Sequence, residues 1–242
     1  MIDHNAFVGE WPFYKLPRHT LPELIELHKK HGITGGFVSS VKSIFYNDFY
    51  ESEYELYEIL KDTPYRQVVT VNPAMVECPL TLERCIREFA PAGIRIHPGF
   101  HGYNINSEIL EPVLSIARER GLPLFVTGRM SDERLTHMIH PALITKDDLA
   151  QFIKKNSDLR IVLCHFKMDE IMAIKDLLLE SSCIVTDISG FRGNLFGNSP
   201  TYIFSKAVFG SGYPLYPVAA PALMVKTELP EDILSDFIKR TV

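Results

Sequence analysis

Four side chains able to move protons or pair with anions, His97, Arg129, His165 and Asp187, each close a short apolar run: GIRIH, PLFVTGR, RIVLCH and CIVTD. A histidine of ordinary pKa, near ~6.5, transfers protons at neutral pH. His165 therefore reads as a general acid or base, with Asp187 placed to orient it or share its proton. Arg129, with Arg134 further along, offers a guanidinium fork for a substrate carboxylate. His97, Tyr103 and Tyr213 are candidate donors to a developing oxyanion, and Asn5 adds an amide at the end of the first run. A structural ion pair at a rim carries equal weight for Arg129 and Asp187.

Metal ligation is the competing chemistry. His97 and His101 are four apart, but the Pro and Gly of HPGFHGY weigh against the helix on which such a pair binds zinc. His137 and His140, with Asp132 and Glu133 nearby, lie in RMSDERLTHMIHP. They could join His97 and His165 around a relocated divalent metal such as zinc, or else be solvent-exposed loop residues. The main expectation is a site with no cofactor.

These residues need elements to position them. Strand-like runs occur at Ile2–Val8, Gly36–Val41, Gln67–Val71, Gly93–His97, Pro123–Thr127, Arg160–His165, Cys183–Ile188 and Lys206–Gly210. Helical periodicity occupies Leu21–His31, Glu51–Lys61, Thr81–Ala90, Glu108–Arg120, Lys146–Asn156 and Met168–Glu180. Thr20 with Glu23 forms a capping-box pattern, Gly32 and Gly121 stand where left-handed caps belong, and Thr145 precedes two acids.

Strands separated by single helices pair in parallel through crossovers. Eight of them predict an α/β fold, a (β/α)₈ TIM-type barrel forming one domain over residues 1–242. An open doubly wound sheet is the alternative, but no GxGxxG follows the first strand. Gly190–Ser205 holds too much Gly, Asn and Pro for a full seventh helix. A period of two places Asn5 and Phe7 on one face of the first strand and His4 on the other.

The 242 residues carry a net charge of −5 and no dense basic cluster, which argues against nucleic acid. Cys78, Cys85, Cys164 and Cys183 form no CxxC pair. With no signal-peptide pattern and no apolar run long enough to span a membrane, the expectation is a reduced cytoplasmic protein without a membrane partner. The aromatic stretches WPFY and IFYNDFY could wall a pocket, form a lid, lie buried at the barrel's edge, or pair the chain with itself as a homo-oligomer.

IDHNAFVG resembles the first strand of the amidohydrolase superfamily, in the amidohydrolase-related branch that includes aminocarboxymuconate semialdehyde decarboxylase, where the pattern reads I-D-x-H-x-H-x-G. AGIRIHPGFHGY is similar to the fourth strand and its loop, GLPLFVTG to the fifth, LRIVLCHF to the sixth, and AVFGSGYP to the eighth, which in the family reads FGSDYP. NAFVGEWPF resembles a branch with N-A-x-x-G followed by WPF. The resemblance implies a divalent metal, usually zinc, at positions that here are Asn5, Phe7, Thr127 and Gly212, and a water-activating histidine at His165. None of the four is an ordinary zinc ligand.

The expectation is a hydrolase or decarboxylase acting on a small carboxylated molecule, with the standard metal site lost. A non-catalytic barrel that binds a small ligand is the alternative, and a structural subunit a third reading. Water activation by His165 alone supplies roughly 10²–10⁴-fold, which favours a lactone or activated ester over an amide.

Overall fold

Apolar runs of four to seven residues, each followed by a segment of helical period, can meet their successors only by crossing over. The computed structural model describes residues 1–130, 143–191 and 201–241. Its strands are β1 (Ile2–Val8), β2 (Gly35–Ser40), β3 (Tyr65–Val71), β4 (Gly93–Ile96), β5 (Leu124–Thr127), β6 (Ile161–Cys164), β7 (Ile184–Asp187) and β8 (Ala207–Val208). They pair in parallel in chain order.

The two edges meet. His4 N–H donates to the Phe209 carbonyl, Gly212 N–H to that of Asn5 and Phe7 N–H to that of Tyr213, each at 2.8 Å. The sheet thereby closes into a (β/α)₈ barrel. Around it lie α1 (Leu21–His31), α2 (Lys42–Phe45), α3 (Tyr50–Leu60), α4 (Cys78–Phe89), α5 (Pro98–His101), α6 (Glu111–Arg120), α7 (Lys146–Lys155), α8 (Met168–Ala173), α9 (Lys175–Glu180), α10 (Ala219–Glu228) and α11 (Glu231–Lys239). Among the described residues no helix is long and apolar enough to cross a membrane.

Two helical expectations need correction. The Met168–Glu180 pattern is broken at Ile174 into α8 and α9. HPGFH forms one helical turn, with Pro98 at its first position, where a missing N–H costs nothing. His97 only caps that turn, so His97 and His101 still do not share a helix face.

Strand alternation sorts the apolar residues into two layers. Ala6, Val38, Val69, Ile94, Val126 and Leu163 pack outward under the helices. Phe37, Val68, Phe125, Val162, Cys164 and Val208 fill the barrel. β1 departs from strict alternation. Asp3 lies opposite Gly36 and Ala6 opposite Val38, so β1 spends three steps where β2 spends two. This bulge turns both His4 and Asn5 inward, against the expectation that they occupy opposite faces. The His4 ring lies 5.1 Å from that of Phe37, and burial pushes its pKa down to about 4.

Asp3 pins the bulge from outside. One oxygen accepts the N–H groups of Asn5 (2.9 Å) and Ser211 (3.0 Å), and the other meets His28 Nε2 at 3.1 Å. Burial alone would raise its pKa, yet the bonds from His28, Ser211 and Asn5 hold it below the usual carboxylate range.

Candidate active site

In β4 the isoleucines Ile94 and Ile96 face the helices, so Arg95 and then His97 face the barrel. A fully buried guanidinium is tolerated only when its donors are met. Arg95 Nε donates to Ser39 Oγ at 2.9 Å, and Nη1 donates to Asn5 Oδ1 at 2.7 Å and Thr127 Oγ1 at 3.2 Å. Its Cζ lies 4.5 Å from the centroid of the Phe7 ring and 5.3 Å from that of Phe125, a cation–π arrangement. Nη2 has no hydrogen-bond partner among the described residues.

His97 lies next along β4. It is fully buried, 6.0 Å from the Phe7 ring and 5.9 Å from that of His101. Burial, with His101 and Arg95 nearby, drives its pKa well below the usual value, so the ring is neutral. Neither ring nitrogen has a partner among the described residues. His101 is engaged elsewhere, its Nε2 on the Ile44 carbonyl at 2.8 Å.

Two strands further round the barrel, His165 follows β6 with φ 59°, a left-handed conformation that a residue with a side chain adopts only under constraint. Both of its peptide groups are held. Its N–H donates to Asp187 Oδ1 at 2.9 Å, and its carbonyl accepts from Arg129 Nη1 at 3.1 Å. Its ring stacks on Tyr216 with centroids 4.3 Å apart, and Nδ1 meets Ser189 Oγ at 2.8 Å.

Asp187 therefore reaches the imidazole through Ser189 rather than directly. The Ser189 hydroxyl lies 3.0 and 2.9 Å from the two Asp187 oxygens and accepts from Asn5 Nδ2 at 3.1 Å. With its one proton given to the carboxylate, Ser189 must accept from His165 Nδ1–H, which leaves Nε2 as the basic nitrogen. Burial raises the Asp187 pKa to about 6, while the bonds from His165, Ser189 and Asn5 and the charge of Arg95 pull the other way. Arg95, Asn5, Ser189 and His165 thus form one chain of hydrogen bonds, with Asp187 joined at the serine.

Three expected positions are corrected. Arg129 does not offer its fork to a ligand and does not pair with Asp187. Nη1 and Nη2 hold the two oxygens of Glu170 at 2.8 and 2.5 Å. It acts on the site by fixing the strained backbone of His165. Tyr213 faces outward, its hydroxyl donating to the Thr20 carbonyl at 3.1 Å. Tyr103 packs on the outer apolar layer with its ring against His101. Arg134, His137 and His140, with Asp132 and Glu133, lie outside the described residues.

Trp11 is buried and packs edge-on to Phe45 and Phe100 (5.5 and 5.7 Å), in a cluster with Phe7 and Met130. WPFY and IFYNDFY thus contribute to one wall beside the barrel's end.

The positions where the resemblance implies a metal do not suit one. Asn5 is bonded at both ends of its amide, Phe7 has no donor atom, and Thr127 is engaged by Arg95. Gly212 has φ +68°, and a Cβ there would lie 3.0 Å from Tyr216 Cδ2 and 3.5 Å from His165 Nδ1. An aspartate at 212 would be strained and would press on the Tyr216 ring. A guanidinium joins the first- and fifth-strand positions instead. Among the described residues no group of three or more His, Cys, Asp or Glu side chains gathers to hold an ion.

A family model described as Amidohydrolase matches residues 5–194. No curated protein sequence matches the chain. Among solved structures, an uncharacterized TIM-barrel protein from Bordetella bronchiseptica is similar at a TM-score of 0.72 with 12% identity, over 98% of this chain and 95% of that one. 5-Carboxyvanillate decarboxylase from Sphingomonas paucimobilis is similar at 0.69 with 11% identity, over 98% and 96%. Amidohydrolase 2 from Bifidobacterium longum subsp. infantis is similar at 0.62 with 17% identity, over 98% and 94%.

Proposed function

The chain belongs to the Amidohydrolase family, and from that premise we propose that it hydrolyses small esters or lactones without a divalent metal, using His165 as the acid–base and Arg95 as a fixed cation. The observation that carries this reading is the hydrogen-bond chain from Arg95 through Asn5 and Ser189 to His165, with Asp187 at its branch. It links a buried positive charge to an oriented imidazole.

Expectation of a substrate carboxylate rested on the fork of Arg129, which Glu170 fills. Hydrolysis of an ester carbonyl is therefore favoured over decarboxylation, which requires the carboxylate to be held.

In this reading, His165 Nε2 takes a proton from water as the water oxygen adds to the carbonyl carbon. The imidazolium is stabilised through Ser189 by the Asp187 carboxylate. The carbonyl oxygen becomes an oxyanion, and the partnerless Arg95 Nη2 and an N–H of neutral His97 are the donors set to receive it. When the tetrahedral adduct collapses, the C–O bond to the leaving group breaks and the alkoxide takes the proton back from His165. The products are an acid and an alcohol.

His165→Gln tests the assignment, because glutamine keeps a polar group in the pocket but cannot take the proton. Hydrolysis of 4-nitrophenyl acetate is expected to fall roughly 10²–10⁴-fold with the thermal midpoint little changed. An unchanged rate would remove His165 from the chemistry.

A further inference from the structure

A cavity of about 490 Å³ opens beside the relay, lined by Ser189, Ser211 and Tyr216 at the strand ends and by Ala220, Leu223 and Met224 of α10. Of the five α10 residues that line it, Ala220, Leu223, Met224 and Thr227 recur at i, i+3, i+4 and i+7 and so share one face, with Pro221 beside Ala220. That face extends about 10 Å from first to last at ~1.5 Å per residue. It is unusually apolar for an open position, since Leu223 is 53% exposed. One of the cavity's polar lining residues, Ser189, is the one that bonds His165 and Asp187.

We infer that this cavity holds the apolar acyl chain of the substrate, with the carbonyl at Ser189 and His165 and the chain lying along α10. The inference rests on the hydrolase reading and narrows it to esters of medium-length aliphatic acids. Continuity with the relay is what selects an acyl chain as the occupant. Ser189, which lines the cavity, is hydrogen-bonded to His165, and Tyr216, which also lines it, stacks on the His165 ring.

The test compares 4-nitrophenyl acetate with 4-nitrophenyl octanoate, alongside calorimetric binding of sodium octanoate, in the full chain and in Ala220→Trp. Ala220 is exposed, so an indole there fills the cavity without entering the core; unchanged thermal midpoints check this. The expected result is an octanoate-to-acetate ratio in kcat/KM of roughly 10²-fold, from partial burial of the added methylenes, collapsing to within about threefold in Ala220→Trp. Hydrolysis of both esters at similar kcat/KM, unaltered by the tryptophan, would overturn the cavity assignment and leave the hydrolase reading standing. Octanoate binding that Ala220→Trp abolishes, in a protein that hydrolyses neither ester, would support the cavity and overturn the hydrolase reading.

Discussion

Asp187→Asn is expected to lower kcat for ester hydrolysis roughly 10²–10⁴-fold while leaving the fold intact. The variant keeps a carbonyl oxygen able to accept the N–H groups of His165 and Ser189, which Asp187 Oδ1 accepts now. What changes is the proton on Ser189. Facing an amide NH₂ instead of a carboxylate oxygen, the hydroxyl turns to donate to His165 Nδ1. The imidazole then carries its proton on Nε2 and cannot act as base there. Loss of the carboxylate behind a catalytic histidine in the serine-protease triad costs about 10⁴ by the same tautomer argument, and the interposed serine makes that an upper bound.

The pH profile and stability separate this loss from simple damage. Asp187 must be ionised for the relay to run, so wild-type kcat/KM falls as pH drops through its folded pKa of about 6. The asparagine variant should lose the contribution of Asp187 to that limb and keep only the fall that comes from protonating the general base itself. For stability the sign is opposite, because burial raises the folded pKa from 3.8 to about 6. The ionised carboxylate is disfavoured in the folded chain, a penalty that grows as pH rises from about 4 and is complete above about 6. Asp187→Asn should therefore gain stability relative to wild type over that window, by at most roughly 3 kcal/mol. Urea midpoints at pH 4 and pH 7 would show it. A variant both inactive and destabilised at pH 7 would make Asp187 a structural residue.

Replacing Arg95 should have the next largest effect. Arg95→Met removes the cation proposed to face the oxyanion, and kcat is expected to fall about 10²–10³-fold, the scale for losing one such donor. The charge of Arg95 also lowers the Asp187 pKa, so the acid limb should move above about 6. Methionine leaves Ser39, Asn5 and Thr127 without their buried donor, at roughly 1–3 kcal/mol for each orphaned group. Arg95→Lys therefore accompanies it. Lysine keeps the charge but not the fork, so kcat should fall while the acid limb stays near its wild-type position. If both variants fold and retain wild-type pH–rate profiles and kcat, Arg95 only supports the barrel.

The barrel was legible in the sequence because parallel strands and amphipathic helices leave different periods, and because caps such as Thr145 and Gly121 mark their ends. The β1 bulge was not legible. One extra residue changes no composition, yet it reverses the face of His4. Asn5 could be placed at the site, but its two partners, Arg95 and Ser189, lie 90 and 184 residues away.

Arg95 could have been found. A charge between Ile94 and Ile96 in a buried run must face either helices or barrel, and in both cases it needs several polar partners. Arg129 misled for the complementary reason. Its partner Glu170 sits on a helix 41 residues later, and nothing local distinguishes a fork that is filled from one that is open. Ser189 shares the β7 end with Asp187, and only the fold places it between Asp187 and His165.

The proposed hydrolysis needs side chains alone. The most direct measurement is the rate of 4-nitrophenyl ester hydrolysis by untagged protein dialysed against a strong chelator, with metal content determined on the same sample. The predicted result is an unchanged rate at metal contents far below one ion per chain. A rate that vanishes on dialysis and returns in proportion to one equivalent of added zinc or manganese would contradict it.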